Sequence, residues 1–156
     1  DLVTPVTKIT LATSKDIDEV ARLFDLYRQF YEQDPDLTLA QRYIGEQIAN
    51  GSSVIFVAWG GEGEDHHAVG FTQLYSTFCS VEASPIWILY DLYVEEDTRG
   101  KGIGKSLMQQ AHKMAAKSGA SRIDLETAFD NINAQALYES LGYEKDNEFY
   151  KYSLEL

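Results

Sequence analysis

Cysteine occurs once in these 156 residues, at Cys79, so an internal disulfide is excluded and a reducing compartment is the expected setting. No base is paired with that thiol in the sequence, and it reads as an inert strand residue. No run of eighteen apolar residues is present, which excludes a membrane-spanning helix, and the amino terminus carries no signal-like pattern. A cytoplasmic protein with no membrane partner is the expectation. Positive charge is also scarce. Thirteen Lys and Arg stand against twenty-five Asp and Glu, a net charge of −12. A nucleic-acid binder needs a basic face, so that class is excluded. No His, Cys or carboxylate set has metal-site spacing, and no metal is expected. His66 and His67 sit with Glu64 and Asp65 in what reads as a solvated turn, and His112 on the polar flank of a helix. No sequence context marks an activated serine. Repeats, linkers and low-complexity segments are absent, and 44% hydrophobic residues suit one domain spanning 1–156 with a full core.

The periodicity yields an ordered set of elements. A strand is predicted over 7–12 and a helix over 14–33, with Ser14 or Asp16 as its cap and Ile17, Val20, Ala21, Phe24, Tyr27 and Tyr31 on one face. Asp34-Pro35 breaks it. A second helix, 38–49, is capped by Thr38 and ended by Asn50-Gly51. Strands at 54–59 and 67–78 flank a glycine-rich acidic turn, and Pro85 opens a strand over 86–94. Helix 102–118 carries Ile103, Leu107, Met108, Ala111, Met114 and Ala115 on one face, and Gly119 stops it. A strand over 121–127, a helix over 131–141 and a last strand near 147–154 complete the chain.

The most informative segment joins the central strand to the third long helix. Tyr90-Asp91-Leu92-Tyr93-Val94 runs into an acidic turn, then Arg99-Gly100-Lys101-Gly102-Ile103-Gly104-Lys105, where a helix starts. Glycine lets a backbone turn tightly and approach a ligand closely. A helix N-terminus aims unpaired N–H groups and a positive dipole end at the same point, which makes an anion site suited to phosphate. A nucleotide P-loop would need glycine at 99, where arginine stands, and the Gly-x-Gly-x-x-Gly dinucleotide pattern fails because Gly100, Gly102 and Gly104 are spaced by two. Residues 99–123 also hold six cations and no acid, whereas the remainder of the chain is strongly acidic. An acidic remainder favours a cationic second substrate by steering, or simply keeps the protein soluble.

A second segment, Asn131-Ile132-Asn133-Ala134-Gln135-Ala136-Leu137-Tyr138-Glu139-Ser140-Leu141-Gly142-Tyr143, reads as a short helix with Ala134, Leu137, Tyr138 and Leu141 on one face and Gly142 as its stop. Arg-x-x-Gly-x-Gly after a strand, followed by Asn-x-x-Ala-x-x-x-Tyr-x-x-x-Gly-aromatic, resembles the GNAT superfamily of N-acetyltransferases. The order of elements resembles that domain over essentially the whole chain, although only residues 86–143 carry specific motifs.

The resemblance implies an α/β fold: a single domain with a central mixed, mostly antiparallel sheet flanked by about four helices. It implies acetyl-CoA as co-substrate. Arg99, Gly100, Lys101, Gly102, Ile103, Gly104 and Lys105 would hold the pyrophosphate. Leu92, Tyr93 and Val94 would pair with the pantetheine arm, with the Val94 N–H on the thioester oxygen, and Asn131, Ala134 and Tyr138 would lie in the second motif. Tyr138 is implied as the general acid, although on spacing alone it reads as a packed aromatic. The homodimer common in the family is a further expectation.

Acetyl transfer to an amine needs a proton removed from a group whose pKa lies near about 10. Strict alternation along 86–94 puts Ile86, Ile88, Tyr90, Leu92 and Val94 on one face and Trp87, Leu89, Asp91 and Tyr93 on the other. Asp91 is then a carboxylate among apolar and aromatic neighbours, which must have a partner or a task. It is a candidate to bind or deprotonate the amine, and the alternative is a salt bridge to a neighbouring helix. Glu126 is a second candidate. Tyr27, Phe30, Tyr31, Tyr43, Tyr75 and Phe78 are available to line an acceptor pocket, because aromatic faces with nearby carboxylates suit an ammonium. The predicted reaction is direct acetyl transfer to a small primary amine, with diamines and polyamines first and aminoglycosides or amino acids second. The alternatives are a protein or peptide acceptor, and a non-catalytic acyl-CoA sensor.

Overall fold

A computed structural model describes residues 8–156 of the chain, and the first residue of the strand predicted over 7–12 lies outside them. The described residues hold five strands and four α-helices. They divide into two compact units, one ending at Glu126 and the other spanning 127–156.

The first unit contains the sheet, whose strands lie in sequence order: β1 (Lys8–Leu11), β2 (Val54–Gly60), β3 (His67–Cys79), β4 (Ser84–Val94) and β5 (Ile123–Leu125). The first three pairings are antiparallel, and β5 joins β4 in parallel. The expected mixed, mostly antiparallel sheet is therefore present. One helical hairpin precedes β2. Its first helix, α1 (Ile17–Phe30), follows a 3-10 turn over Ser14–Asp16. Asp16 is its N-cap residue, and the carboxylate accepts the Thr13 N–H at 2.8 Å. The second, α2 (Leu37–Asn50), is capped by Asp36 and not by Thr38: the Asp36 carboxylate accepts the Leu39 N–H at 3.0 Å. Gly51, at φ 61°, closes it in the left-handed region that glycine occupies without penalty. Buried Asp25 ties the two helices together by accepting the Asp36 N–H at 2.9 Å and the Gln29 amide at 3.1 Å. Asp36→Ala removes the cap, and urea unfolding is expected to report a loss of about 1 kcal/mol.

The hairpin packs Val20, Leu23, Phe24, Ala40 and Ile44 into one core with Val57 and Phe71 of the sheet. The third helix, α3 (Ile103–Lys117), buries Ile103, Leu107, Met108, Ala111 and Ala115, as its periodicity predicts.

Strict alternation along β4 does not hold. Gln73 of β3 faces Asp91 and Leu74 faces Leu89, so Tyr90 is an extra residue in the ladder, a β-bulge. Cross-strand partners share a face and neighbours along a strand alternate. The bulge therefore puts Ile86, Ile88, Asp91 and Tyr93 on the α1 side, and Trp87, Leu89, Leu92 and Val94 on the α3 side. Trp87 accordingly donates its indole N–H to Ser118 at the end of α3, at 2.9 Å.

The second unit contains α4 (Ile132–Ser140), whose Asn131 cap side chain accepts the Ala134 N–H at 3.3 Å. The strand predicted near 147–154 is not formed. Tyr150, Tyr152 and Leu154 alternate with polar residues, yet they and Phe149 all stand exposed. A strand exists only where a ladder partner takes up its backbone groups, and apolar spacing does not supply one.

Candidate active site

Where β4 leaves the sheet, its two sides differ. β5 pairs with Trp87, Ile88 and Leu89 and reaches no further, whereas β3 accompanies β4 to Val94. Glu95 then donates its N–H to the Val69 carbonyl at 2.8 Å. Backbone groups alternate in direction along a strand, so the N–H groups of Leu92 and Val94 turn the other way, toward the side that β5 has vacated. This open edge lies beside the glycine-rich loop, which begins five residues after Val94. The side chain of Arg99 returns to that edge: Nε donates to the Val94 carbonyl at 2.8 Å, and the guanidinium lies 5.4 Å from the centroid of the Tyr93 ring.

The loop has the conformation an anion site requires. Gly100 and Gly102 both have φ 80°, in the left-handed region, and Gly102 is the N-cap residue of α3. An added Cβ at either would meet no atom within 4 Å, so the glycines border open space and are needed for their backbone angles. The first turn of α3 contains no acidic residue, and Lys101 and Lys105 are exposed beside it. These features fit a pyrophosphate.

On the α1 side of the same strand lies a cleft of about 430 Å³, lined by Phe24, Tyr43, Tyr75, Thr77, Ile88, Tyr90 and Asp91. Asp91 is 8% exposed. Its Oδ2 accepts the Gln73 amide at 2.6 Å, and the Tyr27 hydroxyl, which also lies 3.2 Å from the Tyr90 carbonyl and shares its one proton between the two acceptors, is a second hydrogen-bond partner. Burial pushes the carboxyl above its ordinary value, against the lowering effect of both hydrogen bonds. No salt bridge to Asp91 exists among the described residues. Tyr75 and Tyr43 share a hydrogen bond between their hydroxyls, joining β3 to α2 across the cleft. Burial, then the Tyr43 bond and the nearby Asp91, raise the Tyr75 phenol well above its usual range.

Several expected site residues fall elsewhere. Tyr31 packs edge-on against Tyr27, with ring centroids 5.1 Å apart, and is 46% exposed. Phe30 and Phe78 are exposed, and none of the three lines the cleft. Glu126 is exposed beyond the end of β5 and does not line it either. His66 stacks on Trp59 at 4.9 Å, and His67 lies 3.5 Å from Glu95. No group of three or more metal-ligating side chains occurs among the described residues, and no helix there is long and apolar enough to cross a membrane. In the second unit, Tyr138 is half-buried on α4 with its ring 6.0 Å from that of Tyr143. Burial, followed by the neighbouring Tyr138, pushes the Tyr143 phenol up to about 12. Sequence reading missed Gln73, Ser53, Phe24, Thr77 and Ile88. Ile88 was assigned to the opposite face, and Gln73 had no signal beyond being a polar residue in an apolar strand.

A family model described as the acetyltransferase (GNAT) family matches residues 18–143. The chain belongs to the acetyltransferase (GNAT) family. Acetyl-CoA is the co-substrate of that family, and the activity of this GNAT chain is N-acetyl transfer. It is 40% identical over 146 residues to YhfO, an uncharacterized N-acetyltransferase of Bacillus subtilis, a match covering 94% of this chain and 95% of that protein. It is 22% identical over 114 residues to the aminoglycoside N(6')-acetyltransferase type 1 of Stenotrophomonas maltophilia, covering 71% of this chain and 72% of that one. A crystal structure of a probable acetyltransferase superposes with a TM-score of 0.88 at 35% identity, covering 96% of this chain and 98% of that chain. The GNAT fold is thus shared over most of the chain.

Proposed function

We propose that this GNAT protein moves an acetyl group from acetyl-CoA directly to the primary amine of a small molecule, with Asp91 receiving the amine. The observation that carries this reading is a nearly buried carboxylate, without a cation, among the aromatic walls of a cleft beside the open end of β4. An isolated buried carboxylate is costly unless something compensates it. An incoming ammonium supplies the missing charge, and Phe24, Tyr43, Tyr75 and Tyr90 offer rings for the rest of a cationic ligand. Diamines and polyamines come first, because the aromatic walls suit a second ammonium and the acidic protein steers cations toward itself. Aminoglycosides and amino acids come second, and the aminoglycoside acetyltransferase among the relatives supports including aminoglycosides in the search.

In this reading the loop from Arg99 to Lys105 and the start of α3 hold the pyrophosphate, while the Leu92 and Val94 edge holds the pantetheine arm. The Val94 N–H faces the thioester oxygen, where negative charge grows as the amine attacks. Asp91, ionised, takes a proton from the ammonium so that the neutral amine can attack. Tyr138 protonates the departing thiolate, a role that rests on its motif position. We further propose that the protein acts in the cytoplasm as a homodimer of single-domain chains.

Thiol release from acetyl-CoA, measured with putrescine, spermidine, lysine, an aminoglycoside and a lysine-bearing peptide, tests the proposal. Turnover of a small amine with a low KM is the expected result. Turnover of the peptide alone would move the acceptor to the protein class, and no release with tight acetyl-CoA binding would identify an acyl-CoA sensor.

A further inference from the structure

We infer that Gln73 is a positioning residue for Asp91, and that Ser53 sets the direction in which its amide points. This rests on the reading of Asp91 as the group that receives the amine. Gln73 is wholly buried in the middle of β3 and stands opposite Asp91 in the ladder. Its Nε2 donates to Asp91 Oδ2 at 2.6 Å, and its Oε1 accepts from Ser53 Oγ at 2.7 Å. Ser53 sits immediately before β2, one strand further from the cleft.

The order of these three groups follows from their chemistry. A buried amide must satisfy both of its ends. The hydroxyl of Ser53 can donate to the amide oxygen, and an ionised carboxylate can only accept, so the NH2 end belongs on Asp91. A donor on a carboxylate favours its ionised form. An apolar residue of the same size would fill the β3 position without this effect, so the glutamine carries information that packing alone does not demand. Among the described residues, the titratable groups that face Asp91 are phenols: Tyr27 from α1, Tyr75 from β3, Tyr90 beside it on β4, and Tyr43 of α2 through Tyr75. Phenols are uncharged at neutral pH. The local balance between a protonated and an ionised Asp91 is therefore set by burial on one side and by the Gln73 and Tyr27 donors on the other.

The test combines two readouts on the full chain. The first is the acid limb of kcat/KM for the amine in wild type, Gln73→Leu, Ser53→Ala and Asp91→Asn. The second is the Asp91 carboxyl titration followed by carbon-13 NMR in the free protein, with acetyl-CoA Kd as a control for folding. Gln73→Leu is expected to move both the limb and the carboxyl titration upward by about one pH unit or more. Ser53→Ala frees the amide to turn and moves them in the same direction by less. Neither changes the acetyl-CoA Kd more than about twofold, because neither touches the loop at α3. If Asp91→Asn abolishes the acid limb while Gln73→Leu and Ser53→Ala leave it in place, Gln73 only packs and the inference fails alone. If Asp91→Asn leaves the limb intact, the role of Asp91 fails instead. An Asp91 titration that is the same in wild type and both variants then overturns the positioning of the carboxyl as well. Should Gln73→Leu not fold, Ser53→Ala, partly exposed at the mouth of β2, decides by the same NMR measurement.

Discussion

Asp91→Asn is expected to lower kcat/KM for the amine by about a hundredfold or more, the usual worth of a positioned general base. The substitution is nearly isosteric. Its amide oxygen can keep the contact with Gln73, while the charge, the basicity and one acceptor oxygen are lost. In the wild type the rate should rise with pH as Asp91 ionises, and the limb should lie above the ordinary carboxylate range near about 3.9, because burial raises the folded-state value. Asp91→Asn should remove that limb. Stability supplies an independent check with a definite sign. A carboxyl whose folded pKa exceeds its unfolded one holds its proton more tightly in the native state. Its ionisation therefore destabilises the fold progressively as pH rises from the unfolded value through the folded one. The wild-type Tm should carry that decline, and the Asn variant should lack this component. An amine rate and pH profile identical to wild type would remove Asp91 from the mechanism.

Tyr138→Phe is expected to lower turnover tenfold or more while leaving acetyl-CoA affinity unchanged. A tyrosine phenol holds a proton at neutral pH that a departing thiolate can take. Phenylalanine keeps the ring, and with it the contact to Tyr143, so α4 should retain its packing. The separation of the two readouts carries the argument. A packing role would appear as a lowered Tm or a weakened acetyl-CoA Kd with a normal rate, whereas a proton-donor role appears in kcat. Calorimetric titration with acetyl-CoA alongside steady-state thiol release measures both. Unaltered kcat would leave the departing thiolate to take its proton from solvent.

The structure agrees with the periodicity wherever one face of an element meets one core. The stripe from Ile103 to Ala115 on α3, the stop at Gly119 and the turn into α3 at Gly102 could all be read from side-chain spacing and backbone rules. Three elements depart from the periodicity. The α2 cap is Asp36 and not Thr38 because the chain after Pro35 enters one residue earlier, with Asp25 holding the Asp36 N–H. The face of Ile88 was inverted because a bulge at Tyr90 inserts one residue, and every residue before it changes side. The strand near 147–154 has the right alternation and no ladder. The bulge and the missing ladder depend on partners distant in sequence, which local pattern does not contain, whereas the Asp36 cap is local, its carboxylate on the Leu39 N–H.

The sequence by itself carried the motifs that resemble the family, and through them the candidacy of Tyr138. Local rules of glycine angles, helix termini and buried charge marked the proposed anion loop between β4 and α3 and the candidacy of Asp91. Only the tertiary structure decided which aromatics surround Asp91 and which amide meets it. It brought Phe24 and Tyr43 from the helical hairpin and Tyr75 and Gln73 from β3 to one carboxylate, and left Tyr31, Phe30 and Phe78 outside. Contacts to Asp91 converge from strands and helices dozens of residues apart, and a single bulge sets their phase. The cleft is therefore a property of the assembled sheet, while the family motifs are nearly properties of the chain.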